Sequence, residues 1–122
     1  MKSMEARLDL NRRVRLGMFE AIWGEHKTCE QIAEILKKLA DLGEFALVTR
    51  VSAGKARVLK ELIKDAIFHP QARCITVGNF LPLNPSLGEV IILTGGTSDL
   101  PGAAEADLAL KCHGIKTKIL FD

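Results

Sequence analysis

Residues 89–101 read Glu89-Val90-Ile91-Ile92-Leu93-Thr94-Gly95-Gly96-Thr97-Ser98-Asp99-Leu100-Pro101. The unbroken apolar run Val90–Leu93 predicts a strand buried on both faces of a parallel sheet. Gly95 and Gly96 allow a tight turn and close backbone approach. Pro101 suits the first turn of a helix, and the Ala-rich stretch that follows carries that helix to about His113, with Gly114 as its left-handed stop. Lys116–Phe121 alternates polar and apolar residues as a second strand does. Strand, glycine turn, helix and strand make a βαβ unit and place the protein in the α/β class. Thr97, Ser98 and Asp99 then lie at the carboxyl end of a parallel strand, against the free N–H groups of a helix. Two readings are open there: a site for phosphate and ribose oxygens, or a helix cap made by Ser98 or Asp99. The spacing is neither a Walker loop nor a G-x-G-x-x-G fingerprint.

Upstream, residues 79–87 contain Pro82 and Pro85 and read as a linker. Before it, Thr28 and Gln31 form a capping box for a helix whose buried stripe is Ile32, Ile35, Leu36 and Leu39, ended by Gly43. Phe45–Val51 is rich in strand formers. Ser52 caps a second helix with Leu59, Leu62, Ile63 and Ala66 inward, and Cys74–Val77 follows as a strand. The handedness rule makes this β-α-β unit parallel and right-handed. His69 precedes Pro70 in what reads as a loop. Residues 1–27 interleave Arg7, Arg12, Arg13 and Arg15 with leucines and end near Trp23, which reads as an apolar anchor. They form an arm, its arginines either solvated or meeting phosphate or carboxylate groups. The division is thus 1–78 (arm 1–27, α/β layer 28–78), linker 79–87, and an incomplete α/β domain from 88 to 122.

The 122 residues are 48% hydrophobic and 26% charged, a composition that excludes disorder for most of the chain. No apolar run approaches the roughly 20 residues of a membrane span, and no secretion signal is evident, so a cytoplasmic protein is expected. The formal charge is +2, with six basic and four acidic residues in the first 28 and eleven of each afterwards. That is too small an excess for a general nucleic-acid binder. Cys29, Cys74 and Cys112 are far apart and form no C-x-x-C pair, which argues against a disulfide framework or a structural zinc.

Thr94-Gly95-Gly96-Thr97-Ser98-Asp99-Leu100-Pro101 closely resembles the TAGTSDLP opening of the PurE-like domain in LarB proteins, where true PurE carboxylases read roughly GSxSDxP. Leu8-Asp9 through Arg15, Gly17, Glu20 and Gly24-Glu25-His26-Lys27-Thr28 resembles the LarB signature LDxxRxxRxGxPEVxxxEGKT, which plain PurE lacks. Leu47-Val48-Thr49-Arg50 and Ala72-Arg73 to Gly78 also match family segments in order. Phe19 replaces the family's Pro, His26 its Gly and Gly95 its commoner Ala.

The resemblance implies a small βαβ layer with a basic arm, followed by the first βαβ unit of a PurE-like (flavodoxin-like, Rossmann-type) sheet, truncated after its second strand. It further implies an enzyme that carboxylates the pyridinium ring of nicotinic acid adenine dinucleotide and releases AMP, early in nickel-pincer cofactor synthesis. A thiolate adds to the ring and makes a neighbouring carbon nucleophilic toward CO2. None of the three cysteines here matches that nucleophile, so no catalytic residue is assigned and the chain alone is expected to be inactive. Carried over, Gly95, Gly96, Thr97, Ser98 and Asp99 are substrate-binding candidates, and Arg12, Arg13, Arg15 and Lys27 are anion contacts. The implied ligands are the dinucleotide or an AMP-like nucleotide, with CO2 or bicarbonate as co-substrate. Mg2+ is compatible with a phosphate, though no acidic cluster calls for it and no metal ligand is assigned. Homo-oligomers are implied, and neither nucleic acid nor membrane. Two alternatives stand: a PurE-type aminoimidazole ribonucleotide carboxylase, and a non-catalytic nucleotide-binding or docking module.

Overall fold

The computed structural model describes residues 21–96 and 100–121. The elements run β1 (Ile22–Trp23), α1 (Cys29–Asp41), β2 (Ala46–Thr49), α2 (Ala53–Leu62), β3 (Ile67–His69), β4 (Cys74–Val77), a 3-10 turn at Pro85–Leu87, β5 (Glu89–Thr94), α3 (Leu100–Cys112) and β6 (Lys116–Phe121). This is the small α/β fold the sequence predicts.

The capping box at α1 is complete. Thr28 Oγ1 accepts from the Gln31 N–H at 3.1 Å, and the Thr28 N–H donates to Gln31 Oε1 at 2.9 Å. Ser52 caps α2 by accepting from the Lys55 N–H at 3.2 Å. The inward stripe of α1 is as predicted, with Ile32, Leu36 and Leu39 buried and Ile35 half-buried. In α2 the stripe is Ala56 and Leu59, continued by Ile63 beyond the helix end. Leu62 is exposed, because α2 stops there and never turns that side toward the sheet.

Four strands form one sheet in the order β1-β2-β4-β3. β1 and β2 are parallel across α1, so a βαβ unit is present. The expected parallel pairing of Phe45–Val51 with Cys74–Val77 is corrected: β2 and β4 are antiparallel, with Leu47 opposite Thr76. The physical reason is β3. His69-Pro70 is not mid-loop but the end of a strand, and residues 70–73 turn the chain back so that β3 and β4 form a hairpin, His69 opposite Cys74. The Arg73 N–H closes that turn on the Pro70 carbonyl at 3.3 Å. The strand that returns from α2 parallel to β2 is therefore β3, one place removed, with β4 inserted between them: a split βαβ arrangement.

Side chains alternate across this sheet as strand geometry requires. Ala46, Val48, Ile75 and Val77 face α1 and α2 and build the larger core with Ile32, Leu36 and Leu59. Phe45, Leu47 and Cys74 face the other way and pack on Leu108 and Cys112 of α3. Residues 22–27, read as part of an irregular arm, belong to this layer. Ile22 packs against the core, whereas Trp23 is 54% exposed and so is not the anchor.

β5 and β6 form a parallel pair in register Glu89↔Lys116 to Thr94↔Phe121, joined through α3. The expectation that β5 is buried on both faces is corrected. Ile91 is 52% and Leu93 78% exposed, because among the described residues β6 is its one strand neighbour and α3 covers one face. Thr117 Oγ1 donates to Asp107 of α3, which marks the covered face. Residues 79–84 are tied to the end of α3 by the Leu81 N–H to the Cys112 carbonyl (3.0 Å) and the Asn84 N–H to the Gly114 carbonyl (2.7 Å).

Candidate functional site

Two short segments leave the sheet side by side: Arg50 at the end of β2 and Arg73 at the start of β4. Both arginines are left-handed, with φ of 58° and 52°. For a residue with a Cβ this costs of the order of 1 kcal/mol each, and such outliers concentrate at binding sites. The Val51 N–H donates to the Arg73 carbonyl at 2.8 Å, locking the two bends together. Their side chains border two adjoining open clefts. One, of about 290 Å³, is lined by Glu25, Arg50, Val51, Ser52, Lys55 and Arg73. The other, of about 130 Å³, lies between the arginines and the first turns of α3, at Pro101, Gly102 and Glu105.

Within the clefts the charges are unequal in their commitments. The Lys55 ammonium donates to the carbonyls of Gly24 (2.8 Å), Glu25 (3.1 Å) and Lys27 (2.7 Å). Three donors meet three acceptors, so Lys55 is a fixed post around which the Gly24–Lys27 loop wraps. Gly24 makes that wrapping feasible: a Cβ there would lie 2.9 Å from Val48 Cγ1 and 3.0 Å from the Thr49 carbonyl. Arg50 reaches the Glu105 carboxylate through Nε alone, at 3.4 Å.

The sequence-predicted residues fall differently. Thr97, Ser98 and Asp99, and likewise Arg12, Arg13 and Arg15, lie outside the described residues. Gly95 and Gly96 are exposed, and Thr94 Oγ1 donates to the Gly96 carbonyl at 3.2 Å. Among the described residues a Cβ on Gly96 would meet nothing within 4 Å, so no close approach there demands that glycine. Lys27 donates to the Trp23 carbonyl at 3.4 Å and does not line either cleft. In the sequence Arg50 and Arg73 stand out only as points of family resemblance. The signal available was an arginine between a strand end and a helix cap, at Arg50-Val51-Ser52.

Two of the three cysteines, Cys74 and Cys112, are poor nucleophiles. Burial, with Glu105 nearby, pushes the Cys74 thiol up to about 11, and burial beside Cys74 pushes Cys112 up to about 12. Cys29 is half-buried and its thiol faces the Lys55 carbonyl at 3.8 Å. Among the described residues no three His, Cys, Asp or Glu side chains gather as a metal site, and no helix is long and apolar enough to cross a membrane.

Comparison with known proteins adds a family. Residues 2–79 match the LarB/PurE-like N-terminal domain. An uncharacterized protein of Methanocaldococcus jannaschii is 30% identical over 122 aligned positions, which take in 95% of this chain and 47% of the relative. The chain thus spans about half the length of the curated relative it matches.

Proposed function

The chain belongs to the LarB/PurE-like family through its N-terminal domain, and from that membership we propose that it serves a LarB-type carboxylase/hydrolase acting on nicotinic acid adenine dinucleotide. In that reaction CO2 forms a new carbon–carbon bond on the pyridinium ring in place of a C–H bond whose proton is released, and water cleaves the phosphoanhydride to release AMP, on the way to a nickel-pincer nucleotide. The family match over residues 2–79 carries the reading. The arginine-lined clefts beside Pro101 and Gly102 support it, since the Gly95–Asp99 loop immediately precedes them in sequence. In this reading Gly95, Gly96, Thr97, Ser98 and Asp99 bind the substrate's phosphoribosyl part. Mg2+ enters only as a counter-ion to phosphate, with no protein ligands assigned. The setting is cytoplasmic and the assembly a homo-oligomer.

Because none of Cys29, Cys74 and Cys112 matches the family's nucleophile, and Cys74 and Cys112 are buried thiols with raised pKa values, this chain alone is expected to show no turnover. Detected consumption of the dinucleotide by the 122-residue chain would refute that. Binding is tested by amide-resolved NMR titration with nicotinic acid adenine dinucleotide, AMP and aminoimidazole ribonucleotide in parallel. Shifts at Gly95–Asp99 strongest with the dinucleotide support the reading, and strongest shifts with the imidazole nucleotide transfer it to the PurE type. Silence with all three leaves a docking module. In a responding chain, Ser98→Ala with Asp99→Ala is expected to weaken binding while leaving the fold intact.

A further inference from the structure

We propose that Arg50 and Arg73 form a clamp for a phosphate group, and that the Glu105 carboxylate is its resident stand-in, displaced when phosphate binds. The two guanidiniums border both clefts, and the Val51 N–H to Arg73 carbonyl bond fixes their backbones side by side. Both residues hold left-handed backbone, Arg73 at the close of the β3–β4 turn. Among the described residues their donors are largely unspent. Among the described residues Arg50 makes one long, single-pronged contact, Nε to Glu105 Oε1 at 3.4 Å, and the Arg73 guanidinium has no hydrogen-bond or ion-pair partner.

Phosphate fits this arrangement better than carboxylate does. A carboxylate has two oxygens and satisfies one guanidinium fork, whereas a terminal phosphate offers three oxygens and engages two forks at once. Glu105 is a carboxylate already present, and it engages one arginine of the pair by one nitrogen. Its side chain is 23% exposed and belongs to α3, so it is held near Arg50 rather than roaming there. The lysine of the cleft is not a competitor for the ligand, since its three donors are committed to backbone carbonyls. Release of Glu105 from Arg50 therefore exchanges one weak ion pair for bidentate contacts to a more highly charged group.

The proposal rests on the nucleotide reading only in that phosphate is the anion named; the clamp itself uses none of the residues Gly95–Asp99. The test is titration of the 122-residue chain and three variants, Arg73→Gln, Arg50→Lys and Glu105→Gln, with inorganic pyrophosphate, inorganic phosphate, AMP and acetate, read by calorimetry and by shifts of the Val51 and Arg73 amides. Pyrophosphate is expected to bind and acetate not to. Arg73→Gln is expected to lower pyrophosphate affinity about tenfold or more, the loss of charge-assisted bonds. Arg50→Lys, which keeps the charge but not the fork, is expected to fall between. Glu105→Gln is expected to raise affinity about threefold, a gain that no unfolded variant can imitate. AMP binding as well as pyrophosphate points to a nucleotide as the source of the phosphate, and pyrophosphate alone to a free anion. Unchanged pyrophosphate affinity in Arg73→Gln, or a loss in Glu105→Gln, overturns the clamp. Its failure and that of the nucleotide reading are separable. Dinucleotide shifts at Gly95–Asp99 with an indifferent Arg73→Gln sink the clamp alone, and pyrophosphate binding without dinucleotide shifts sinks the nucleotide alone.

Discussion

Replacing Lys55 with Met tests whether one ammonium holds the Gly24–Lys27 loop to the fold. The methionine keeps most of the aliphatic stem and removes only the charge and its donors. Three hydrogen bonds are lost, at 2.8, 3.1 and 2.7 Å. The Glu25 carbonyl is solvent-exposed and takes a water in exchange at little cost, whereas the Gly24 and Lys27 bonds are partly buried. Each of those two, as a bond from a charged donor to a half-shielded carbonyl, is worth about 1 kcal/mol net, so the variant should lose about 2 kcal/mol. At a urea slope near 1.5 kcal/mol/M, that moves the unfolding midpoint down by about 1.3 M with the slope unchanged. Hydrogen exchange gives the local readout: the Gly24 amide, bonded to the Thr49 carbonyl at 2.8 Å, should lose protection ahead of the β2–β4 ladder. A loss below about 0.5 kcal/mol with Gly24 still protected would refute the post-and-loop account, leaving β1 pairing and Ile22 packing as what holds the loop.

Gly114→Ala should be the more damaging glycine substitution. Its φ of 78° is left-handed, and a Cβ would overlap the Pro82 carbonyl oxygen, so a drop of about 2 kcal/mol or more in urea melts is expected, with early exchange of the Leu81 and Asn84 amides. Burial lowers the pKa of His69, which lies 2.8 Å from Thr76 Oγ1, below its ordinary 6.5. The unfolded chain therefore takes up the proton first. Stability is full above about pH 6.5 and declines as pH falls through the folded-state value, and His69→Gln should flatten that decline in urea midpoints compared between about pH 7.5 and 5.5. Of the three thiols, Cys29 alone should react promptly with a disulfide reagent near about pH 8. Cys74 and Cys112, with pKa values of about 11 and about 12, should react only as fast as the chain opens, and rapid titration of all three would contradict their burial.

Local chemistry was legible where one residue type has one job. Thr28 with Gln31, Ser52 before α2 and the stripe of α1 are capping and periodicity signals with few rivals, and the structure bears them out. β3 was hidden because the turn that creates it carries neither glycine nor asparagine; its left-handed position is Arg73. With no hairpin signal in the sequence, β4 reads as the strand returning from α2, opposite in direction to what the ladder shows. β1 has two residues, too few to show any alternation. Arg50 and Arg73 were illegible as a pair for a related reason. They are 23 positions apart in sequence, and only the antiparallel β2–β4 ladder brings the end of one strand to the start of the other.

α3 is the element that connects these observations. Its sequence is apolar nearly all round, with Ala103, Ala104, Ala106 and Ala109 beside Leu108 and Leu110, and a helix of that kind is one packed on more than one side. One side meets β5 and β6, where Asp107 receives the Thr117 hydroxyl. Another meets the four-stranded sheet, where Leu108 and Cys112 pack with Phe45, Leu47 and Cys74. The alanines permit close approach on both. Glu105 is one turn N-terminal to the Leu108–Cys112 contact, on the helix that begins at Leu100 directly after residues 97–99. The distance between the arginine clefts and the start of α3 is therefore set by core packing rather than by a surface loop. A ligand that displaces Glu105 from Arg50 acts on a helix buried against two sheets, so the cleft's response is confined to side chains while the helix stays in place.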